Sequence, residues 1–285
     1  MISHIYHIEF LTPCFCAGAD PSKAELRAPS IRGELHWWFR CLGATRDEET
    51  SIFGGIHGNQ PTASSFMVRI HQQPTGGDEE WHNKIKRTGG TSDAYLLGFF
   101  CGRTNRLQRK GAIAPGSKAA IQLLFKQPPT PRLEKTLRVF FSIGAVGFRV
   151  TRAAGAFASQ EHALVSASWT DLQKELTSAG FKVCLLGDDF GTDWTAVIRK
   201  AGDLLKNKLR SNEKGLGIPS TTASPLGSAE PRQKSAVYLR PVRIDGRLRL
   251  ALIEAPHARV LGKQALSLAR ETTSIVELLL QRRLI

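Results

Sequence analysis

Apolar and polar residues alternate loosely over residues 3–11, where Ile5, Ile8 and Phe10 are the apolar members. Thr12-Pro13 closes the run, so the pattern predicts a strand. After a polar loop, Ile31, Leu35, Trp38 and Leu42 recur at helical spacing behind Pro29-Ser30. That spacing predicts a helix with one buried stripe, and Pro29 and Ser30 suit its start. Residues 65–71, 95–100 and 119–125 read as strands, and 132–143 as a helix broken by the small-residue stretch 144–157. Further on, 170–179 and 194–209 read as helices, with a strand between them at 181–186. Two strands, 236–244 and 247–253, flank Asp245-Gly246, a strong hairpin signal. A helix over 261–280 is expected to close the chain. The stretches 72–93 and 211–234 are polar and rich in turn residues; the first reads as a long exposed loop or a ribbon and the second as a long loop.

The order strand, helix, strand, strand, strand, helix in the first half is close to a ferredoxin-like split βαβ with an insertion. The second half again mixes helices and strands. The expected fold is α+β, with two tandem ferredoxin-like (RRM-like) domains. The first would span residues 1–160 with an inserted loop near 72–93, and the second 161–285.

Composition adds limits. The chain has 285 residues, 41% hydrophobic and 22% charged, which suits packed domains rather than disorder. The longest apolar runs, such as Leu278-Leu279-Leu280, fall far short of a membrane span. The N-terminus shows no basic region followed by an apolar run, so no signal peptide is expected. Five scattered cysteines, an odd number, argue for a reducing cytoplasm rather than a disulfide framework.

Charge changes the picture most. The formal net charge is +14, and it is unevenly placed. Residues 1–100 carry 9 basic and 11 acidic side chains, whereas 101–152 carry 11 basic and one acidic, Glu134. A field of that density calls for a polyanion, and nucleic acid is the expected partner. A basic surface that docks on an acidic protein is the plainer alternative.

Candidate chemistry is sparse. Cys14 with Cys16, and His4 with His7, lack the paired spacing of a zinc site. Asp188, Asp189 and Asp193 follow a predicted strand and could hold a cation, but Asp193 or Thr192 fits a helix N-cap better. No P-loop, GxSxG or HExxH motif occurs, and no metal or cofactor is expected. His36 is a candidate general base for RNA cleavage without a visible partner. Three basic groups remain. Arg27 precedes the helix that starts near Ser30, with Arg32 and Arg40 on it, and a helix start suits a phosphate. Arg149 and Arg152 sit in the glycine-rich stretch, where small residues would let a nucleotide chain approach. Arg103, Arg106, Arg109 and Lys110 form a third cluster in a predicted loop.

Two stretches carry a resemblance. Leu11-Thr12-Pro13-Cys14-Phe15-Cys16-Ala17-Gly18-Ala19-Asp20 is followed by Glu25-Leu26-Arg27-Ala28-Pro29-Ser30-Ile31-Arg32-Gly33-Glu34-Leu35-His36-Trp37-Trp38-Phe39-Arg40. Together they resemble the opening of subunit one of the type III-B CRISPR (Cmr) effector complex, in the RAMP superfamily. Glu49-Thr50-Ser51-Ile52-Phe53-Gly54-Gly55 is similar to that family's acidic–IFG segment. Residues 144–157 sit where RAMP proteins carry a glycine-rich loop. The resemblance implies two ferredoxin-like domains and a non-catalytic subunit in antiviral defence. It implies a place at the 3′ region of the guide RNA, where the subunit helps capture complementary target RNA. Guide (CRISPR) RNA, target RNA and the other Cmr subunits are then the expected partners, with no membrane. The rival is a RAMP-type, metal-independent endoribonuclease that processes guide RNA precursors.

Overall fold

The computed structural model describes residues 1–20, 22–57, 60–85, 92, 95–97, 112–218, 224–227, 234–261 and 274–285. The chain divides into two units interleaved along the sequence. Met1–Glu79, Lys110–Phe148 and Gly155–Ala163 form unit 1; Glu80–Arg109, Arg149–Ala154 and Leu164–Ile285 form unit 2. The boundary expected near residue 160 lies beside the last crossing, at Ala163. Residues 80–109 and 149–154 precede that boundary and group with unit 2.

Unit 1 opens with β1 (Ile2–Phe10), β2 (Cys14–Phe15), α1 (Ala28–Cys41) and α2 (Arg46–Phe53). It continues with β3 (Gly55–His57), β4 (Gln60–Thr62), β5 (Phe66–Thr75), β6 (Ala112–Ile113), β7 (Lys118–Phe125), α3 (Pro131–Ile143) and β8 (Phe157–Ser159). Its main sheet is antiparallel in the order β5-β7-β1-β8. Counting those four strands along the chain, the spatial order is 2-3-1-4, with a helix after the first and third. On β1, Tyr6, Ile8 and Phe10 are buried, as the period of two requires. Their side of the sheet meets α3, where Phe141 stacks on Tyr6 at 3.7 Å and 6°. On α1, Ile31, Leu35, Trp38 and Leu42 are all buried, so the predicted stripe is the packed one. A buried aromatic of this size contributes roughly 2–3 kcal/mol.

The stretch 72–93 is not a loop throughout. β5 runs to Thr75, and its polar residues Gln72 and Gln73 occupy exposed strand positions. Trp81 and Ile85, in unit 2, are buried, with a short 3₁₀ turn at Trp81–Lys84. Residues 95–97, expected as strand, are helical. Leu96 and Leu97 are both buried, and adjacent buried side chains do not fit the alternation of a half-exposed strand.

Unit 2 continues with α4 (Ser166–Ser178), β9 (Lys182–Leu185), α5 (Trp194–Asp203), β10 (Val237–Ile244), β11 (Arg247–Glu254), α6 (His257–Val260) and α7 (Ile275–Gln281). Its antiparallel sheet has the order β10-β11-β9. Asp245 (φ 51°) and Gly246 (φ 75°) make the β10–β11 turn, in the mirror-image geometry that Asp-Gly favours. Asp193 caps α5, accepting from the amides of Thr195 and Ala196, so that carboxylate belongs to a helix start. Among the described residues the elements run α-β-α-β-β along the chain, as expected, and end in two short helices, α6 and α7, in place of one. A helix separates β9 from β10, so the hairpin partner of β10 is β11.

The closing helix expected over 261–280 is interrupted. Leu261 lies in a bend after α6, and residues 262–273 lie outside the described ones. Glu254 anchors the start of α7. Its carboxylate accepts from Ser274 Oγ (2.5 Å), the amides of Ile275 and Val276 (3.1 Å each) and His257 Nε2 (2.8 Å). Burial opposes its charge, but these donors outweigh burial and hold the carboxyl below the ordinary 4.5. A carboxyl lowered by folding adds stability above its unfolded pKa, lost as pH falls through the folded one. Glu254→Gln is expected to cost ~1–3 kcal/mol at neutral pH. It should also flatten the acid limb of urea unfolding measured from about pH 3 to pH 7. An acid limb identical to that of the unaltered chain would exclude Glu254 as its source.

Candidate nucleic-acid interface

The start of α1 is built by its neighbours. The Leu26 main chain is clamped by the Gln73 side chain, which accepts from Leu26 N (3.1 Å) and donates to Leu26 O (3.0 Å). Arg27 is the N-cap, with an extended backbone (φ −118°, ψ 134°) and no side-chain cap. Pro29 occupies the first turn, which holds no acidic residue. The positive end of the helix dipole is thus left unneutralised by its own first turn. Arg27 is exposed, and its guanidinium has no partner among the described residues. Ser30 Oγ is engaged instead, near the Cys16 thiol at 3.6 Å.

Arg32 turns inward. It donates to Ser64 Oγ (3.0 Å) and to the Phe53 carbonyl, and its guanidinium carbon lies 5.4 Å from the Phe53 ring centroid and 5.6 Å from that of Phe66. Burial lowers its pKa. One turn on, Glu49 of α2 receives His36 Nε2 at 2.6 Å and Arg40 Nε at 3.2 Å. The His36 ring also stacks on Phe53, at 4.5 Å. The candidate base therefore has a carboxylate partner that its own helix does not reveal. Trp38 is core, while Trp37 is half-buried and meets it edge-on at 4.9 Å. Pro29, Gly33 and Arg40 make the exposed stripe of α1. A Cβ on Gly33 would meet nothing within 4 Å.

The glycine-rich stretch folds back on itself. Val146 N donates to Gly155 O (3.0 Å), Phe157 N to Gly144 O (3.3 Å) and Phe148 N to Phe15 O (2.9 Å). A Cβ on Gly155 (φ +68°) would sit 1.9 Å from Val146 O. The close approach these glycines allow is to the chain's own backbone. At the tip, Phe148 is half-exposed, and Arg149 and Ala153 hold left-handed backbones (φ 66° and 63°). Such non-glycine conformers cost about 1–3 kcal/mol each and recur at binding sites.

The two arginines there differ. Arg149 is part-exposed, and burial is the main cause that lowers its pKa. Arg152 is buried, donating to the carbonyls of Leu226 (2.6 Å) and Thr151 (3.4 Å), and burial brings its pKa down to about 10. Arg27, Ser30, Arg32 and Arg40 belong to unit 1, and Arg149 and Arg152 to unit 2. Arg103, Arg106, Arg109 and Lys110 lie outside the described residues. Among the described residues, no three His, Cys, Asp or Glu side chains gather as metal ligands, and no helix is long and apolar enough to cross a membrane.

No family model matches the chain. Two curated relatives from Pyrococcus furiosus do. Cmr subunit Cmr1-2 is 28% identical over 188 residues, which is 56% of this chain and 96% of that protein. Cmr1-1 is 25% identical over 213 residues, 69% of this chain but only 56% of that longer protein. The chain is a relative of Cmr subunit one. The fold agrees: the apo crystal structure of Pyrococcus furiosus Cmr1 superposes with a TM-score of 0.61 over 97% of this chain and 93% of that one, at 19% identity. A chain of the type III-B Cmr-beta complex bound to cognate target RNA matches with a TM-score of 0.50 over 90% and 94%, at 10% identity.

The stretches that carry the likeness to Cmr subunit one meet in space. Arg32 and His36 come from the first, and Phe53 and Glu49 from the second. Sequence reasoning missed Gln73, which it placed in a loop or ribbon, and Glu49 as the partner of His36 and Arg40. Arg32→Met is expected to remove two hydrogen bonds and two ring contacts, and to cost about 2 kcal/mol in denaturant unfolding. Unchanged stability would return Arg32 to the free cations.

Proposed function

We propose that the chain is a non-catalytic, RNA-binding subunit of a cytoplasmic type III-B CRISPR ribonucleoprotein. It sits with the other Cmr subunits at the guide RNA 3′ end and helps capture complementary target RNA. Kinship with Cmr subunit one carries the reading. The uncapped, acid-free start of α1 beside exposed Arg27 supports it, as does the Cmr-beta chain of similar fold seen with target RNA. The ferredoxin-like reading belongs to the same proposal. Unit 1 has the matching strand order. In unit 2, single bridges from Arg152 to Leu239 and from Leu164 to Ile244 add to the β10 side of a three-stranded sheet.

Within this reading the arginines divide by task. Arg27 and Arg40 are exposed and Arg149 is part-exposed, and these three meet phosphates, whereas Arg32 holds the backbone around its own helix. Phosphate contacts set affinity and salt dependence without reading bases. Gly33 leaves the exposed stripe of α1 open to a nucleotide chain, at a cost to the helix.

Two outcomes test this. Replacing Arg27, Arg40 and Arg149 by Ala should weaken binding of single-stranded RNA and flatten the plot of log K against log salt by about 2, at ~0.7 per phosphate lost. An identical slope would sink the assignment. In the same gels, run with Mg²⁺ or EDTA, cut RNA whose cleavage disappears in His36→Ala would favour the endoribonuclease. Gly33→Ala should raise stability by ~0.5–1 kcal/mol while weakening RNA binding, since a mid-helix glycine costs about that much. A gain in stability with no loss of binding would remove Gly33 from the interface.

A further inference from the structure

In unit 2, the helix that begins as α5 widens into a π-helical turn at Leu204–Leu209, and Arg210 closes it by donating its amide to Leu205 O at 3.1 Å. Wide turns of this kind are rare and cluster at functional sites. The Arg210 Nε is buried and has no acceptor. Arg152 is buried as well, and its guanidinium rests only on the carbonyls of Leu226 and Thr151. Arg149 is fixed beside it, because Arg152 N donates to Arg149 O at 2.7 Å. Among the described residues, neither Arg152 nor Arg210 has a carboxylate partner. A buried cation without a counter-charge is costly.

We propose that Arg149, Arg152 and Arg210 form a phosphate-binding site in unit 2, which takes one phosphate group against the buried edge of the Arg210 guanidinium. The inference rests on the RNA-binding reading only for its source: a backbone phosphate of RNA offers the same chemistry as a free phosphate. Guanidinium forks match the oxygens of a phosphate, and the phosphate would supply the missing negative charge. The left-handed backbone at Arg149 and the π-helical turn before Arg210 are the local distortions next to two of the three arginines. Burial is the main cause that lowers the pKa of Arg152, and Arg210 and then Arg149 push it the same way. Burial lowers the pKa of Arg149 first, Tyr95 opposes that, and Arg210 adds a smaller lowering. The neighbours that favour the charge of Arg152 are the phenols of Tyr95 and Tyr238, neither of them a carboxylate.

The full chain tests this with two probes. Inorganic phosphate, titrated against chloride at constant ionic strength, should raise the thermal unfolding midpoint of the unaltered chain. It should not raise that of Arg210→Met. In chloride alone Arg210→Met should unfold at the same or a higher temperature, because a repulsion has gone. Arg210→Lys keeps the charge without the fork and should retain a reduced response. With end-labelled single-stranded RNA, Arg210→Met should bind roughly tenfold more weakly, with a salt slope shallower by about 0.7. Loss of both responses supports a site for RNA backbone phosphate. Loss of the inorganic phosphate response alone supports a site for a free phosphate. If inorganic phosphate shifts neither chain and RNA binding is unchanged in Arg210→Met, the site is overturned. If the unaltered chain binds no RNA, the RNA-binding reading fails while the inorganic phosphate arm still decides the site. An Arg210→Met chain that unfolds at lower temperature in chloride would also count against it.

Discussion

Arg32 ties α1 to the elements around it in unit 1. Its guanidinium spans from α1 to the last carbonyl of α2 and to the Ser64 hydroxyl ahead of β5, flanked by the rings of Phe53 and Phe66. Those contacts fix the roll of α1 about its own axis. The roll decides which side chains reach solvent: with Ile31, Leu35 and Trp38 inside, Pro29, Gly33 and Arg40 must be outside. Glu49 completes the arrangement from α2, gathering His36 and Arg40 one turn further on. Of the Glu49 pairs, the one with Arg40 adds little to stability, since solvent reaches that arginine and screens it. Their use is to set the direction of two long side chains.

Much of this was readable beforehand, for definite reasons. The period of β1 and the stripe of α1 are burial patterns, and burial is what hydrophobic spacing records. Asp245-Gly246 and Asp193 are local devices whose geometry needs only their near neighbours. The arginines were another matter. A basic residue in a sequence reads as surface charge, yet Arg32 and Arg152 lie mostly inside, held by carbonyls contributed 21 and 74 residues away. No spacing rule foretells such a partner. In the glycine-rich stretch the small residues make room for the chain's own Phe15 and Val146, contacts that no spacing rule records. The second half was least legible. Its helices and strands follow in the expected order along the chain, but which strand finds which edge of the sheet is settled by packing rather than by propensity.

The two basic regions stand on different physics. At α1, unused dipole and an exposed cation point outward, and solvent meets the cost of the unpaired charge. At Arg149, Arg152 and Arg210, burial has already excluded much of that solvent. A phosphate arriving at the first site exchanges water and counterions for arginine. One arriving at the second relieves a repulsion stored in the fold, so its contribution should resist added salt better.

The interleaving of the two units has a consequence for synthesis. The chain enters unit 2 at Glu80, returns at Lys110, leaves again for Arg149–Ala154 and departs finally at Leu164. As the polypeptide emerges from the ribosome, unit 1 gains its last strand only with β8. Until then, two of its excursions belong to a body whose sheet has not yet been translated. Neither unit corresponds to a continuous stretch of message, so neither could be inherited, exchanged or duplicated by a single genetic cut.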